Sequence, residues 1–427
     1  MRRTLFLWTV LWIALSLMFS GCGGGESGEE GPAELKFNVD PVGKAYEVNQ
    51  QLAGKYEQKT GTPVKLIKGP TDATERLSQY LLYFSAGSGD IDLYQVDVIW
   101  PGILSEHLVD LSPVMTEEEL SDFFPAIVEN NTINGKLAAI PWFGDAGIFY
   151  YRTDLLEKYG YDAPPETWDE MEKMAKKIQQ GERDAGNPDF WGFVFQGKAY
   201  EALTCNGLEW IASHGGGSIV EPDGSISINN PNAVKAIERA ASWVGEISPP
   251  GVTTYQEEEA RRLFQAGNAA FMRNWPYAYK LGHSDDSSIK GKFDVTVLPK
   301  GENGKHAAAL GGWQVGVSDY TQNREEAFKL AKWFTSEEAQ KRRASEAGML
   351  PTRVSLYDDP LIIEQVPIMP TMKTVFQNAV PRPSTVTGDK YNEVSSIFFQ
   401  NVNQALTGTK TAEEAIQDIE EELKDLL

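Results

Sequence analysis

Two aspartates and two arginines are placed where they could bind a small polar molecule. Asp97 lies near the end of a predicted strand at 91–98, and Asp145 precedes an apolar run. Arg76 falls early in a predicted helix, and Arg382 lies between two prolines, which restrict the backbone that presents it. Carboxylate and guanidinium groups suit a ligand with many hydroxyls, because one planar group can bond to two neighbouring hydroxyls.

Aromatic residues could supply the rest of such a site. The chain has 11 Trp, 16 Tyr and 19 Phe, and we single out Trp275, Trp313 and Phe143 as platforms for the flat C–H faces of a sugar ring. Each residue of this set has a purely structural alternative: Asp97 as a helix cap, Asp145 as part of a turn, and the two tryptophans as core residues. A buried sugar hydroxyl that is left unpaired costs about 1–3 kcal/mol. Charged groups that pair with hydroxyls, together with aromatic platforms, therefore favour a sugar as the ligand.

A glycoside hydrolase is the alternative from another class of protein. Asp97 and Asp145 could be its acid and nucleophile. Such enzymes need one carboxyl group with a raised pKa, about 5–9 Å from the other. We expect neighbouring arginines to keep both aspartates ionised, so the sequence favours binding without catalysis.

Other chemistries find no support in the sequence. The four histidines, at 107, 214, 283 and 306, occur singly, and the glycine run 215–217 lacks the Lys and Ser/Thr of a phosphate loop. The formal net charge of −22 opposes binding to a phosphate backbone. We therefore predict no metal, no cofactor and no nucleic-acid partner.

The N-terminus predicts export. Arg2 and Arg3 precede an uncharged, mostly apolar run at 5–19, which is too short to span a bilayer comfortably and is typical of a signal peptide. Phe-Ser-Gly-Cys at 19–22 resembles a lipobox, which predicts a lipoprotein signal peptide at 1–21 and lipidation of Cys22. An ordinary signal peptide with an incidental cysteine is the alternative. The Gly/Ser/Glu-rich residues 22–34 read as a flexible tether, so we expect an extracytoplasmic, membrane-anchored protein.

Alternating strands and helices predict an α/β protein. Strands at 35–39, 64–67 and 91–98 alternate with helices at 45–59 and after Asp72, which indicates a mostly parallel sheet with ligands at the carboxyl ends of its strands. The helix after Asp72 should bury Leu77, Leu81 and Phe84 on one face.

A second lobe should begin after residue 141. Further strands are predicted at 148–151, 269–272, 293–298 and 311–317. A capping box at Thr167 and Glu170 begins a helix that Gly181 should end, and Thr411 begins the C-terminal helix in the same way. Cys205 is the only cysteine besides Cys22, so no internal disulfide is expected, and we predict that Cys205 is buried.

Six sequence blocks resemble a known family. They are 145–152 (DAGIFYYR), 155–161 (LLEKYGY), 164–168 (PPETW), 273–278 (RNWPYA), 310–313 (LGGW) and 378–383 (NAVPRP). In this order they are similar to the substrate-binding proteins of carbohydrate ABC importers, above all those for trehalose and maltose.

The resemblance implies a periplasmic-binding-protein-like fold of the maltose-binding-protein type. Two α/β lobes would be joined by hinge crossings near 140–144, 297–300 and 347–352. The N-terminal lobe would comprise 35–141 plus 300–347, and the C-terminal lobe 144–297 plus 352–427. The implied partners are a disaccharide or other small sugar and the ABC permease subunits, and we expect a monomer.

The family also implies a ligand set. By similarity, Asp97 and Arg76 would belong to the first lobe, Trp275 and Arg382 to the second. The remaining residues of the set are Asp145, Gly311 and Trp313 at the hinge, Phe143, and Glu47. Phe143 stands where relatives have tyrosine, so one hydroxyl is lost from the site and the sugar stays open between trehalose, maltose and another sugar or polyol.

Overall fold

The computed structural model describes residues 33–427. The predicted signal peptide, the predicted lipidation of Cys22 and most of the tether lie outside the described residues. Within 33–427, no helix combines the length and the apolar character that a bilayer span requires.

The described part of the chain contains twelve strands and eighteen α-helices. The strands are β1 (Leu35–Val39), β2 (Val64–Lys68), β3 (Leu93–Asp97), β4 (Thr132–Ile133), β5 (Lys136–Leu137), β6 (Ile140–Ala146), β7 (Ile148–Arg152), β8 (Trp191–Val194), β9 (Ala269–Asn274), β10 (Phe293–Thr296), β11 (Ala308–Val317) and β12 (Ala379–Val380). The helices are α1 (Ala45–Thr60), α2 (Ala73–Ser85), α3 (Pro101–Leu104), α4 (Glu117–Ser121), α5 (Pro125–Asn130), α6 (Thr153–Lys158), α7 (Trp168–Asp184), α8 (Glu201–Ser213), α9 (Pro231–Trp243), α10 (Glu257–Gln265), α11 (Tyr277–Gly282), α12 (Arg324–Phe334), α13 (Glu337–Ala347), α14 (Pro360–Gln365), α15 (Met369–Gln377), α16 (Ser384–Thr387), α17 (Tyr391–Leu406) and α18 (Ala412–Leu426).

The larger sheet has the order β12-β11-β3-β1-β2, and β6 also pairs with β11. Strand β1 runs parallel to β2 and β3, as the alternation of strands and helices predicted. Strand β11 is antiparallel to both β3 and β6. Residues 140–144, predicted as a crossing, therefore belong to a strand of this sheet.

The smaller sheet has the order β10-β7-β9-β8. Strand β7 is antiparallel to its neighbours β9 and β10, whereas β8 runs parallel to β9. Helices α8, α9, α17 and α18 pack against one another, and α8 also contacts β11 and β12 of the larger sheet. The capping boxes predicted for α7 and α18 are present. The α/β fold class is confirmed, and each of the two lobes contains one of the two larger sheets.

Most of the largest aromatic side chains form the core. Trp168, Trp210 and Trp243 pack together with Phe193 and Phe195 in the part of the chain that carries the smaller sheet. Trp100 and Trp142 are also fully buried. Most of these large aromatic residues therefore stabilise the core, and few of them are available as platforms for a ligand.

Two details of the helices differ from the sequence predictions. Gly181 does not end α7, which continues to Asp184. A Cβ at Gly181 would lie 2.3 Å from Cε1 of Tyr159, so this glycine serves close packing between a helix and a ring. Leu81, expected on the buried face of α2, is 37% exposed, and Tyr80 is buried instead.

Candidate ligand-binding site

A cavity of about 300 Å³ lies where elements of the two sheets face each other. It is lined by eight of the nine residues predicted to bind ligand: Arg76, Asp97, Phe143, Asp145, Trp275, Gly311, Trp313 and Arg382. Glu47 is not among the lining residues. It is exposed in the first turn of α1, and Asp40, which directly follows β1, lines the cavity instead.

Strand β11 places the centre of the site. Its Trp313 pairs with Asp97 at the end of β3, and its Gly311 pairs with Asp145 on β6. The register between β11 and β6 shifts after Trp313, and such an irregularity re-aims a side chain. Three strands that are distant in sequence thus bring two carboxylates and an indole to one edge.

Arg382 connects the two sides of the cavity. Its Nη2 donates to Oδ1 of Asp97 at 3.2 Å, and its Nη1 donates to Oε1 of Glu201 at 2.7 Å. Glu201, the first residue of α8, also accepts from the hydroxyls of Tyr391 and Ser395. All three charged side chains are nine-tenths buried, so this network is a rigid part of the site.

Burial sets the protonation of both aspartates. It raises the pKa of Asp97 to about 6, although the Arg382 guanidinium opposes the shift. Burial also raises the pKa of Asp145 well above its usual range, against the opposing charge of Arg273. The arginine charges act in the direction that was expected, but desolvation outweighs them, so both pKa values lie above the usual range; a pKa of about 6 still leaves Asp97 ionised at neutral pH.

Asp145 differs from the other acidic groups in its hydrogen bonds. Asp40 accepts from Arg76 and Gln95, whereas within residues 33–427 no side chain or backbone amide donates to the Asp145 carboxylate. Asp145 is 9% exposed and lines the cavity, so its carboxylate oxygens keep access to solvent there while the rest of the residue is buried. The arrangement leaves Asp145 available to a ligand that brings hydroxyl donors.

The two predicted indole platforms are both half-buried and each has an arginine against it. The Arg76 guanidinium lies 4.6 Å from the ring centroid of Trp313, and the Arg273 guanidinium lies 4.1 Å from that of Trp275. The Trp275 indole N–H donates to Oε1 of Glu257 at 3.4 Å. Stacked cations and this hydrogen bond hold both rings in place before any ligand arrives.

Gly311 is required by one of these rings. A Cβ at this position would lie 2.9 Å from Cζ3 of Trp275 and 3.2 Å from Cβ of Asp145. The strand therefore accepts the indole against its bare backbone. Gly311 also lines the cavity, so its backbone is exposed to the space where a ligand would lie.

Arg76 uses its donors on the protein. Its Nε and Nη2 donate to the carbonyl oxygens of Pro70 and Thr71, and its Nη1 donates to Asp40 at 3.1 Å. The side chain is 1% exposed although it lies in the first turn of a helix, where a charged residue is normally solvated. Its position fixes Trp313 and the loop before α2.

Several lining residues were missed from the sequence: Asp40, Tyr200, Glu201, Gln256, Glu257 and Tyr277. Asp40 directly follows β1, just as Asp97 ends β3. Because ligands bind at the carboxyl ends of parallel strands, Asp40 could have been predicted in the same way as Asp97. Glu201 and Glu257 begin α8 and α10, and acidic residues are common at helix starts because of the helix dipole. Nothing in the sequence separated them from ordinary helix starts.

The carboxylates, guanidinium groups and indole rings of this cavity, facing each other between two α/β lobes, define a two-lobed ligand-binding protein. Comparison with known proteins agrees. Residues 43–341 match the family model described as bacterial extracellular solute-binding protein. The chain belongs to this family, as the resemblance indicated.

Relatives and solved structures extend the match over nearly the whole chain. A probable ABC transporter-binding protein of Deinococcus radiodurans is 50% identical over 389 residues, which are 91% of this chain and 92% of the relative. The maltose-bound MalE3 of T. maritima is 44% identical, covers 92% of this chain and 100% of its own, and has a TM-score of 0.88. A ribitol-bound ABC transporter solute-binding protein of Agrobacterium radiobacter, 24% identical with a TM-score of 0.82 over 92% of this chain and 99% of its own, shares the fold. The maltose-binding-protein type of fold is thereby confirmed.

Proposed function

We propose that this protein is the sugar receptor of an ABC importer and captures a disaccharide of the maltose or trehalose type. The observation that carries the proposal is the pairing, in one cavity, of two half-buried indoles with a buried Asp145 carboxylate that has no donor within residues 33–427. A sugar supplies what this site lacks, namely apolar faces for the rings and hydroxyls for the carboxylate.

The size of the cavity and one relative support the disaccharide. About 300 Å³ is at the lower end of small-molecule sites and suits a compact ligand. The similar MalE3 of T. maritima binds maltose. Phe143 and Arg382 complete a ring of aromatic and charged groups around the cavity, as expected for a ligand bound on all sides.

The proposal includes the cellular setting. The Cys22 lipid anchor and an extracytoplasmic location follow from the lipobox-like residues 19–22. The lobes, at 35–141 plus 300–347 and at 144–297 plus 352–427, would close on the sugar, and the closed form would dock on the two permease subunits as a monomer. The Deinococcus relative, a probable ABC transporter-binding protein, supports this partner.

The test is a binding screen of the chain without residues 1–21, by thermal shift and calorimetry, against maltose, trehalose, sucrose, glucose and mannitol. A bound disaccharide raises the melting temperature by mass action. W275A and D145N should abolish the shift, whereas E47Q, on the exposed start of α1, should leave it intact. A shift with none of the sugars, or a full shift in W275A, would refute the proposal.

Hydrolysis is decided with the same protein. The raised pKa of Asp145 is a property that a glycosidase acid would share. Prolonged incubation with each disaccharide should release no monosaccharide above the level seen with D145N. Monosaccharide release that depends on Asp145 would show that the protein is a glycoside hydrolase rather than a receptor.

A further inference from the structure

One carboxylate at the edge of the cavity joins elements of the two lobes. Asp72 precedes α2, which packs on the larger sheet, and its neighbours Thr71 and Ala73 line the cavity. Its Oδ2 accepts from Nζ of Lys198 at 3.1 Å and from Nε2 of Gln256 at 3.1 Å. Lys198 follows β8 of the smaller sheet, and Gln256 is the N-cap of α10, which packs on β9.

The two oxygens of Asp72 have separate tasks. Its Oδ1 accepts from the backbone N–H groups of Thr74 and Glu75 and so caps α2. Its Oδ2 is left for the opposite lobe. The Asp72 side chain is 8% exposed and the Lys198 side chain 39%, so the pair lies at the boundary between cavity and solvent. An ion pair in this position is strong enough to matter and is weakened by salt.

The same contact reaches residues that line the cavity. The Lys198 ammonium lies 5.5 Å from the ring centroid of Tyr200, and the Tyr200 hydroxyl donates to Glu257 at 2.6 Å. Glu257 in turn accepts from the indole of Trp275. Lys198 is thus connected to the Trp275 platform through Tyr200 and Glu257.

We infer that Asp72, with Lys198 and Gln256, is a latch that holds the two lobes together over the cavity and sets how tightly the ligand is retained. The inference rests on the proposed function as a closing receptor. When a ligand binds the closed form, its apparent affinity falls in proportion to the population of that form, so a weaker latch lowers affinity without touching the sugar.

The experiment compares D72N, K198M and the double variant with the native chain lacking residues 1–21. Asparagine is as good an N-cap as aspartate, so D72N keeps α2 and loses the charge, and methionine keeps most of the length of Lys198. We expect each single variant to weaken maltose binding by about two- to fivefold at low salt, and the double variant to be no weaker than either. In 1 M NaCl the difference from the native chain should disappear.

Small-angle scattering of the sugar-free protein tests the latch without relying on any ligand. The latch as inferred also raises the closed fraction of the sugar-free chain, so D72N and K198M should have a larger radius of gyration than the native chain. K176M is the matched control, because Lys176 forms an ion pair of the same 3.1 Å length with Glu246 inside one lobe. Native-like scattering of D72N and K198M would overturn the latch even if no sugar bound, whereas failure of the sugar screen alone would overturn only the proposed function.

Discussion

The two sides of the cavity balance their negative charge differently. On the side formed by strand ends, Asp40 is paired with Arg76 of the same lobe, and Asp97 depends on Arg382 from 285 residues further along the chain. On the side formed by helix starts, the side-chain donors to Glu257 among residues 33–427 are neutral, a tyrosine hydroxyl and an indole. Glu201 shares Arg382 with Asp97. Arg382 therefore neutralises carboxylates on both sides of the cavity, and each side depends on this shared positive charge.

Removing that shared charge should have the largest effect. R382M removes the cation that Asp97 and Glu201 share and leaves both buried, and we expect the free energy of unfolding to fall by about 3–5 kcal/mol in chemical denaturation. The surface variant R342M, which breaks an exposed pair with Glu346, should change it by less than about 0.5 kcal/mol. Adding D97N and E201Q to R382M should restore part of the loss. Native-like stability of R382M would show that the two sides are independent.

The pH dependence of Asp97 should have an intermediate effect. Its pKa in the folded protein, about 6, lies above the usual 3.8, so its contribution to folding stability falls as pH rises from about 4 to about 6. Sugar hydroxyls donate to the ionised carboxylate, so ligand binding should lower this pKa, and sugar affinity should rise over the same interval and level off above pH 6. We expect about a tenfold difference in Kd between pH 5 and pH 7.

Calorimetry at several pH values measures this effect. D97N should bind weakly with a Kd that varies less with pH, because the titrating group is gone. An unchanged pH profile in D97N would assign the titration to Asp145 or Glu257, whose pKa values burial also raises, and would move the pH-sensitive group off the strand-end side.

Restoring a hydroxyl at position 143 should have the smallest effect. Phe143 lines the cavity on β6, and the Arg343 guanidinium lies 4.6 Å from its ring centroid. F143Y should tighten disaccharide binding by about two- to tenfold, because a phenol can bond to a ligand hydroxyl. The melting temperature without sugar serves as the control and should not fall. Weaker binding by F143Y at an unchanged melting temperature would show that the native ligand needs an apolar contact there.

The sequence predicted cavity residues at strand ends better than cavity residues at helix starts. Asp97 ends a predicted strand, and Asp145, Trp275 and Trp313 lie in blocks that resemble family motifs, so these positions were found. Acidic residues at the start of α8 and α10 satisfy the helix dipole wherever they occur, so their role in the cavity was invisible. The protonation of the aspartates also escaped prediction, because burial depends on segments far apart in the chain.

The bare backbone at Gly311 has a genetic consequence. The nearest atoms that a Cβ would meet there belong to Trp275 and Asp145, which both line the cavity, so G311A should disturb the site before it disturbs the core of either lobe. Cells carrying such an allele should produce the protein at normal abundance and still fail to grow on the sugar that we propose it captures. In a mutational screen this one codon would therefore separate loss of uptake from loss of folding.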